Sequence, residues 1–86
     1  MASYSILSTR SAAKELAGVP AKDRQRIVRR IEALAENPRP AGAEKLSGDD
    51  KHRIRQGDYR ILYEIEDAQL VVTVVRIGNR REVYRR

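Results

Sequence analysis

Arginines recur at short spacing in the segment HRIRQGDYRILYEI, which covers residues 52–65. Arg53 and Arg55 flank Ile54, and Arg60 follows just after a glycine–aspartate pair. Side chains two residues apart in a strand point to the same face, so Arg53 and Arg55 share a face that Ile54 does not. Guanidinium groups bind phosphate oxygens through paired hydrogen bonds and stay charged. This pattern predicts an anion-binding face on a β-hairpin.

A structural explanation of the same arginines remains open from the pattern alone. Charged side chains often protect an exposed strand edge, and most surface charges contribute little energy. Under this structural explanation, Arg60 forms a cross-strand ion pair with Glu64 or Glu66. Arg80 and Arg81 are then polar loop residues without a role in binding. The four arginines at positions 24, 26, 29 and 30 are expected on a solvated helix face, with contacts to the phosphates of an RNA as the alternative.

The charge balance favours an anionic partner. The 86 residues carry a net charge of +6. Residues 1–50 contain nine basic and seven acidic side chains, whereas residues 51–86 contain nine and five. Most of the uncompensated positive charge therefore lies in the half that contains the arginine-rich hairpin, as in proteins that bind nucleic acids.

Several function classes are disfavoured by composition. The chain has no cysteine and one histidine, His52, and its carboxylates are not clustered, so we expect no metal and no cofactor. The first residues lack the apolar core of a cleavable signal, and the longest apolar stretch is too short to span a bilayer. We therefore expect a cytoplasmic protein with no membrane partner.

Hydrophobic periodicity predicts six elements in the order β-α-α-β-β-β. The predicted elements are a strand at residues 4–8, helices ending near 17 and spanning 21–36, and strands at 52–56, 58–65 and 70–77. The predicted fold class is a small α+β domain, residues 1–86, with an antiparallel sheet and both helices on one face. Tyr59 and Tyr63 are expected in or beside the core. His52 is expected to be structural, because it shares the side of Ile54.

Four motifs in order give the chain a recognisable family signature. They are a K-L-x-G lead-in, two basic residues before a turn, the G-x-Y-R turn, and a late G-x-R followed by E-V-Y. In the segments KLSGDDKHRIRQGDYRILYEIED and VVRIGNRREVYR, the chain resembles the RelE branch of the RelE/ParE toxin superfamily. These proteins are the toxins of type II toxin–antitoxin systems. The resemblance implies a single RelE-like toxin domain.

The resemblance also implies an activity and a set of residues. RelE-type toxins are ribosome-dependent endoribonucleases that cleave messenger RNA in the A site, without metal, by attack of the ribose 2′-OH. The positions matching their catalytic residues are Arg53, Arg55, Arg60, Arg80 and Tyr84. Further RNA contacts are expected from Lys45, Lys51 and Arg81.

The two positions before the turn depart from the pattern of some relatives. Those relatives carry lysines where this chain has Arg53 and Arg55, and the second lysine is assigned there as the general base. Arginine keeps its proton, with a pKa above about 12. We therefore expect Arg53 and Arg55 to neutralise phosphoryl charge, while the resemblance makes Arg80 the acid and Tyr84 a stacking or hydrogen-bonding residue.

The expected partners are a ribosome carrying messenger RNA and a cognate RelB-like antitoxin. The antitoxin is expected to cover or distort the sheet face that carries these arginines, through an acidic or amphipathic segment. Two alternatives remain from the sequence. One is a ParE-like inhibitor of DNA gyrase, and the other is a non-catalytic nucleic-acid-binding relic of the fold.

Overall fold

A computed structural model describes residues 3–46 and 50–79 and confirms the predicted α+β class. Five strands form one sheet in the order β1-β5-β4-β3-β2. The elements are β1 Ser5–Ser8, α1 Arg10–Ala17, α2 Ala21–Ala33, β2 Glu44–Lys45, β3 Lys51–Gln56, β4 Tyr59–Glu66 and β5 Val71–Asn79. The described part of the chain contains no helix that is long and apolar enough to cross a membrane.

Both ends of α1 are closed by side chains. At its start, the Thr9 hydroxyl accepts a hydrogen bond from the Ala12 N–H at 3.1 Å, as an N-cap does. After its end, Arg24 of α2 donates from Nη1 to the Val19 carbonyl at 2.8 Å and to the Ala17 carbonyl at 3.5 Å. Arg24 thus holds the turn between the helices, whereas the sequence placed it on a solvated face.

The second helix packs through the predicted apolar stripe. Ile27, Ile31 and Leu34 are buried, at the spacing that brings side chains to one side of a helix. The α-helix ends at Ala33, three residues before the predicted end. The chain continues as tighter turns, because the N–H groups of Leu34 and the next two residues bond to carbonyls three positions back.

The sheet differs from the prediction at both edges. The pairs β3–β4 and β4–β5 are antiparallel, as their short connections require. However, β1 pairs with β5 in parallel, so the sheet is mixed. A two-residue strand, β2, also pairs with β3 inside the stretch predicted to be irregular. The paired residues of β1 and β5 are 66 positions apart in the chain, and local sequence patterns do not encode such pairing.

A β-bulge in β5 links the sheet to the start of α1. Leu62 is opposite Arg76, but Tyr63 is opposite Val74, so Val75 is the extra residue. Thr9 bonds at this point, with its N–H to the Val74 carbonyl at 2.9 Å and its hydroxyl to the Val75 carbonyl at 3.3 Å. The residue that caps α1 therefore also fixes α1 against β5.

The core between the sheet and the helices contains the side chains of one sheet face. Tyr63 is fully buried and donates a 2.7 Å hydrogen bond to the Pro38 carbonyl, and its burial raises the pKa of its hydroxyl to about 12. His52 is also buried and stacks on Tyr63 with ring centroids 5.6 Å apart. Tyr59 is partly buried against the core. The predicted core placement of both tyrosines is confirmed, and His52 is on the predicted side.

Three segments are joined by polar contacts at one end of the domain. The Tyr4 hydroxyl donates to Asp67 Oδ1 at 2.7 Å, and Arg39 donates to both oxygens of Asp67, at 3.2 and 2.9 Å. These bonds hold the pKa of the Asp67 carboxyl below its ordinary value, with Arg39 as the largest cause. The N-terminal segment, the segment after α2 and the β4–β5 connection are thereby tied together.

Candidate nucleic-acid interface

Four basic side chains of the β3–β4 hairpin share the sheet face opposite the helices. We call Lys51, Arg53, Arg55 and Arg60 the arginine face. Arg55 is directly opposite Arg60 across the β3–β4 hairpin, and residues directly opposite in a ladder project from the same side. Arg53 and Lys51 follow along β3 at two-residue steps of about 6.8 Å. The structure therefore brings Arg53, Arg55 and Arg60 together, as the hairpin pattern predicted.

Arg60 occupies a different environment from Arg55. Only 5% of Arg60 is exposed, whereas Arg55 is on the surface. The residue opposite Arg60 on its other side, in β5, is Gly78. Because glycine has no side chain, nothing from that position competes with Arg60 for space. The Arg55 guanidinium makes no hydrogen bond or ion pair with residues 3–46 or 50–79.

The two remaining members of the face have acidic neighbours. Arg53 pairs with the carboxylate of Glu44, which lies opposite it on β2. Lys51 is opposite Glu64 on β4. The acidic neighbours of Arg53 and Lys51 therefore lie at the part of the face that is away from the turn, whereas Arg55 and Arg60 lie at its turn end.

Of the other predicted catalytic and RNA-contacting residues, one lies away from this face and three fall outside the described residues. Lys45 is opposite His52, so its position belongs to the other side of the sheet, away from Arg53. Arg80, Arg81 and Tyr84 lie outside the described residues.

Two local features fix the position of the arginine face. Gly57 has a φ of +61° at the first position of the two-residue β3–β4 loop, a conformation that favours glycine. Glu15 of α1 accepts hydrogen bonds from two groups of β5, Arg76 Nε at 2.9 Å and the Ile77 N–H at 2.8 Å. The first feature sets the register that aligns Arg55 with Arg60, and the second anchors β5 next to Gly78.

The arrangement can bind and neutralise an anion. Two guanidinium groups at directly opposite positions suit the non-bridging oxygens of a phosphodiester. His52 is turned away from them, and its Nδ1 is 3.1 Å from the Asp50 carbonyl oxygen. No group of three or more histidine, aspartate or glutamate side chains within residues 3–46 and 50–79 is arranged to hold a metal ion.

Arg30 and Glu44 are neighbours of the face that the sequence analysis did not identify. Arg30 of α2 donates from Nε to the Arg55 carbonyl at 3.4 Å. Nothing in the spacing of the α2 arginines distinguishes Arg30, because its position depends on how α2 crosses β3. The pairing of Glu44 with Arg53 similarly depends on the short β2 strand.

Comparison with known proteins places the chain among toxins of toxin–antitoxin systems. Residues 6–84 match the family model described as ParE toxin of type II toxin-antitoxin system, parDE. The protein named Toxin RelE from Mycobacterium tuberculosis (strain ATCC 25618 / H37Rv) is 33% identical over 85 residues, which cover 95% of this chain and 87% of that protein.

Solved structures share the fold. The toxin–antitoxin complex RelBE2 from Mycobacterium tuberculosis matches with a TM-score of 0.81 and 24% identity, over 92% of this chain and 93% of the other. The isolated RelE toxin of E. coli matches with a TM-score of 0.79 and 26% identity, over 88% of this chain and 83% of the other. The intact RelBE complex of E. coli gives a TM-score of 0.80 at 23% identity, over 88% and 95%.

Proposed function

Because the chain belongs to the RelE/ParE superfamily of toxins from type II toxin–antitoxin systems, we propose that it is a ribosome-dependent endoribonuclease. Its substrate is messenger RNA in the ribosomal A site. The observation that carries the proposal is the Arg55–Arg60 pair at the turn end of the arginine face. The similarity to a protein named Toxin RelE favours RNA cleavage over the other activities of the superfamily.

The proposed reaction is an internal transesterification. The ribose 2′-oxygen forms a bond to the adjacent phosphorus while the bond from phosphorus to the 5′-oxygen breaks. The 2′-OH loses a proton and the leaving 5′-oxygen gains one, so the products are a 2′,3′-cyclic phosphate and a 5′-OH. Arg55 and Arg60 stabilise the negative charge that develops on the phosphoryl oxygens. Arg80 is the proposed acid and Tyr84 stacks on a base.

The expected dependence of cleavage on the ribosome follows from the chemistry of the arginine face, which supplies positive charge rather than a proton acceptor. Arg53, Arg55 and Arg60 bind charge well, but arginine is a poor proton acceptor at physiological pH. Acceleration must then come largely from orientation of the 2′-OH in line with the 5′-oxygen, and a ribosome that holds the codon in the A site provides that orientation. Cleavage of RNA in solution is therefore expected to be slow.

The proposed partner in the resting cell is a RelB-like antitoxin. The structurally similar toxins are found in RelB–RelE complexes, and the arginine face offers a positive surface to an acidic segment. A segment that pairs with Arg55 competes directly with phosphate, so antitoxin binding and RNA binding should exclude one another.

The test is primer extension on a defined message in a purified translation system, with and without ribosomes. Cuts at A-site codons that appear only with ribosomes support the proposal. A 3′-phosphate or cyclic phosphate at the cut end identifies attack by the 2′-OH. An intact message at a toxin concentration that arrests growth would overturn the proposal.

Inhibition of DNA gyrase is the second candidate, because the matching family model is named for ParE. In that case the arginine face is a docking surface and no RNA is cut. A supercoiling assay with purified gyrase distinguishes the two candidates. Inhibition of supercoiling together with an intact message would assign the chain to the gyrase-directed branch.

A further inference from the structure

A cavity of about 350 Å³ lies where α2 crosses the outer edge of β3. Its walls come from the helix, from the segment around β2 and from β3. The lining residues are Arg30, Gly42, Glu44, Arg53, Ile54 and Arg55. Arg53 and Arg55 also belong to the arginine face, so the cavity adjoins that face around the edge of the sheet.

The cavity exists because β2 is short. β2 pairs only with His52 and Arg53, so β3 has no neighbouring strand on its outer side from Ile54 onward within the described residues. The Arg55 carbonyl at this edge accepts a hydrogen bond from Arg30 Nε. The Arg30 side chain therefore makes a hydrogen bond to β3 at the position where a further strand would pair, and it adds a positive charge to this edge.

The lining of the cavity is strongly biased toward cations. It has three guanidinium groups and one carboxylate, and that carboxylate, Glu44, is paired with Arg53. The bond of Arg30 to Arg55 uses only Nε, and both terminal nitrogens of Arg30 make no hydrogen bond to residues 3–46 or 50–79. Arg30 can thus donate two further hydrogen bonds to an anion without losing its anchor.

We propose that this cavity binds a phosphate of the RNA strand next to the one held by Arg55 and Arg60, with Arg30 as its principal donor. The inference rests on the proposed function, since it extends the RNA path from the arginine face around the β3 edge onto α2. Phosphates repeat along an RNA strand, so a strand held by Arg55 brings the next charge to an adjacent site.

The cavity has little apolar surface, and this favours RNA over a protein as its binding partner. Protein interfaces depend on apolar or aromatic anchors that fill pockets. Ile54 is the one large apolar residue among the lining residues, and it is buried in the core. The cavity therefore offers charge and hydrogen bonds but little surface for an apolar anchor.

The test compares Arg30→Gln with the matched control Arg29→Gln. Arg29 is the neighbouring residue on α2, is exposed, and does not line the cavity. The probe is a fluorescein-labelled single-stranded 2′-O-methyl RNA, which lacks the attacking hydroxyl. Its binding is measured by fluorescence anisotropy over a series of salt concentrations.

Loss of one phosphate contact lowers the slope of log affinity against log salt by about 0.7 for a single strand. We expect that change and a several-fold weaker affinity for Arg30→Gln, no change of slope for Arg29→Gln, and a largely restored slope for Arg30→Lys. Thermal unfolding of each variant verifies that the fold is kept. Equal slopes for Arg30→Gln and Arg29→Gln would overturn the proposal.

A second probe, fluorescein-labelled poly-glutamate, separates RNA from an acidic protein segment. If Arg30→Gln weakens binding of the acidic peptide and leaves RNA binding unchanged, the cavity belongs to a protein partner and the inference is wrong. Because the RNA probe is not cleaved, this result is independent of catalysis. Absence of message cleavage by the unaltered protein would overturn the proposed function without changing these slopes.

Discussion

Arg55 and Arg60 are directly opposite each other on the β3–β4 hairpin. Like charges at such positions destabilise a sheet, by up to about 1 kcal/mol in the range measured for cross-strand pairs. Arg60 is buried while Arg55 is exposed, so the two positive charges extend from the interior to the surface. An anion bound between them would offset the repulsion, and this ties the local energetics of the hairpin to the proposed binding of phosphate.

Replacement of Arg55 by glutamine separates activity from stability. Arg55→Gln should lower ribosome-dependent cleavage by at least about tenfold, because one charge-assisted contact to the phosphoryl group is lost. The free energy of unfolding should stay constant or rise by about 0.5 kcal/mol, because the like-charge pair is removed. Primer extension and urea denaturation measure the two effects. Unchanged cleavage would remove Arg55 from the site.

The Tyr63 hydroxyl should contribute to stability. Tyr63→Phe removes the 2.7 Å bond to the Pro38 carbonyl and should lower the free energy of unfolding by about 1–2 kcal/mol. Burial raises the pKa of this hydroxyl to about 12, above its unfolded value of about 10, so its contribution is complete below pH 10 and declines as the pH rises. Urea denaturation at neutral and alkaline pH measures both effects.

Tyr59→Phe is the matched control for that experiment. The Tyr59 hydroxyl forms no hydrogen bond with the described residues, so its removal should change stability by less than about 0.5 kcal/mol. A loss as large as that of Tyr63→Phe would mean that the Pro38 bond is not the cause.

Glu15 should affect the site although it lies in α1. Glu15→Ala leaves the Ile77 N–H and the Arg76 guanidinium without their acceptor, at a cost of about 1–2 kcal/mol. The anchored part of β5 leads directly to Gly78, opposite Arg60, so cleavage should fall as well. Glu15→Gln keeps an oxygen acceptor and should show the smaller loss of both. Equal losses for the two variants would argue that charge, rather than the hydrogen bonds, matters.

The Asp67 carboxyl should make stability depend on acid pH. Its pKa is lowered in the folded state, chiefly by Arg39 and then by Tyr4, so its contribution is present at neutral pH. The contribution is lost as the pH falls through the folded pKa. Asp67→Asn should therefore lower the melting temperature at pH 7, and the difference from the unaltered protein should shrink as the pH falls through the folded pKa of Asp67. A difference that persists in acid would show that the carboxylate charge is not its source.

The sequence predicts best those features that neighbouring residues determine. The two-residue loop at Gly57 sets the register of β3 and β4, and for that reason the approach of Arg53, Arg55 and Arg60 was predictable. The spacing of Ile27 and Ile31 likewise predicts the buried side of α2.

Features that depend on distant segments were not predictable from the sequence. The parallel pairing of β1 with β5 requires knowledge of the tertiary arrangement, because the paired residues are 66 positions apart in the chain. The same holds for Arg30, whose sequence context resembles that of Arg29, although only Arg30 reaches the edge of β3. Lys45 is predicted to contact RNA, whereas its register places it opposite His52, on the other side of the sheet from Arg53.

The parallel pairing of β1 with β5 also determines when the protein can finish folding during synthesis. Thr9 bonds to Val75, 66 residues further along the chain, and β1 pairs with residues 71–74. β1 therefore waits for β5, whereas the hairpin that carries Arg55 and Arg60 needs no residue beyond Glu66. The arginine face gains the support of β5 only after the ribosome has released this toxin through residue 79.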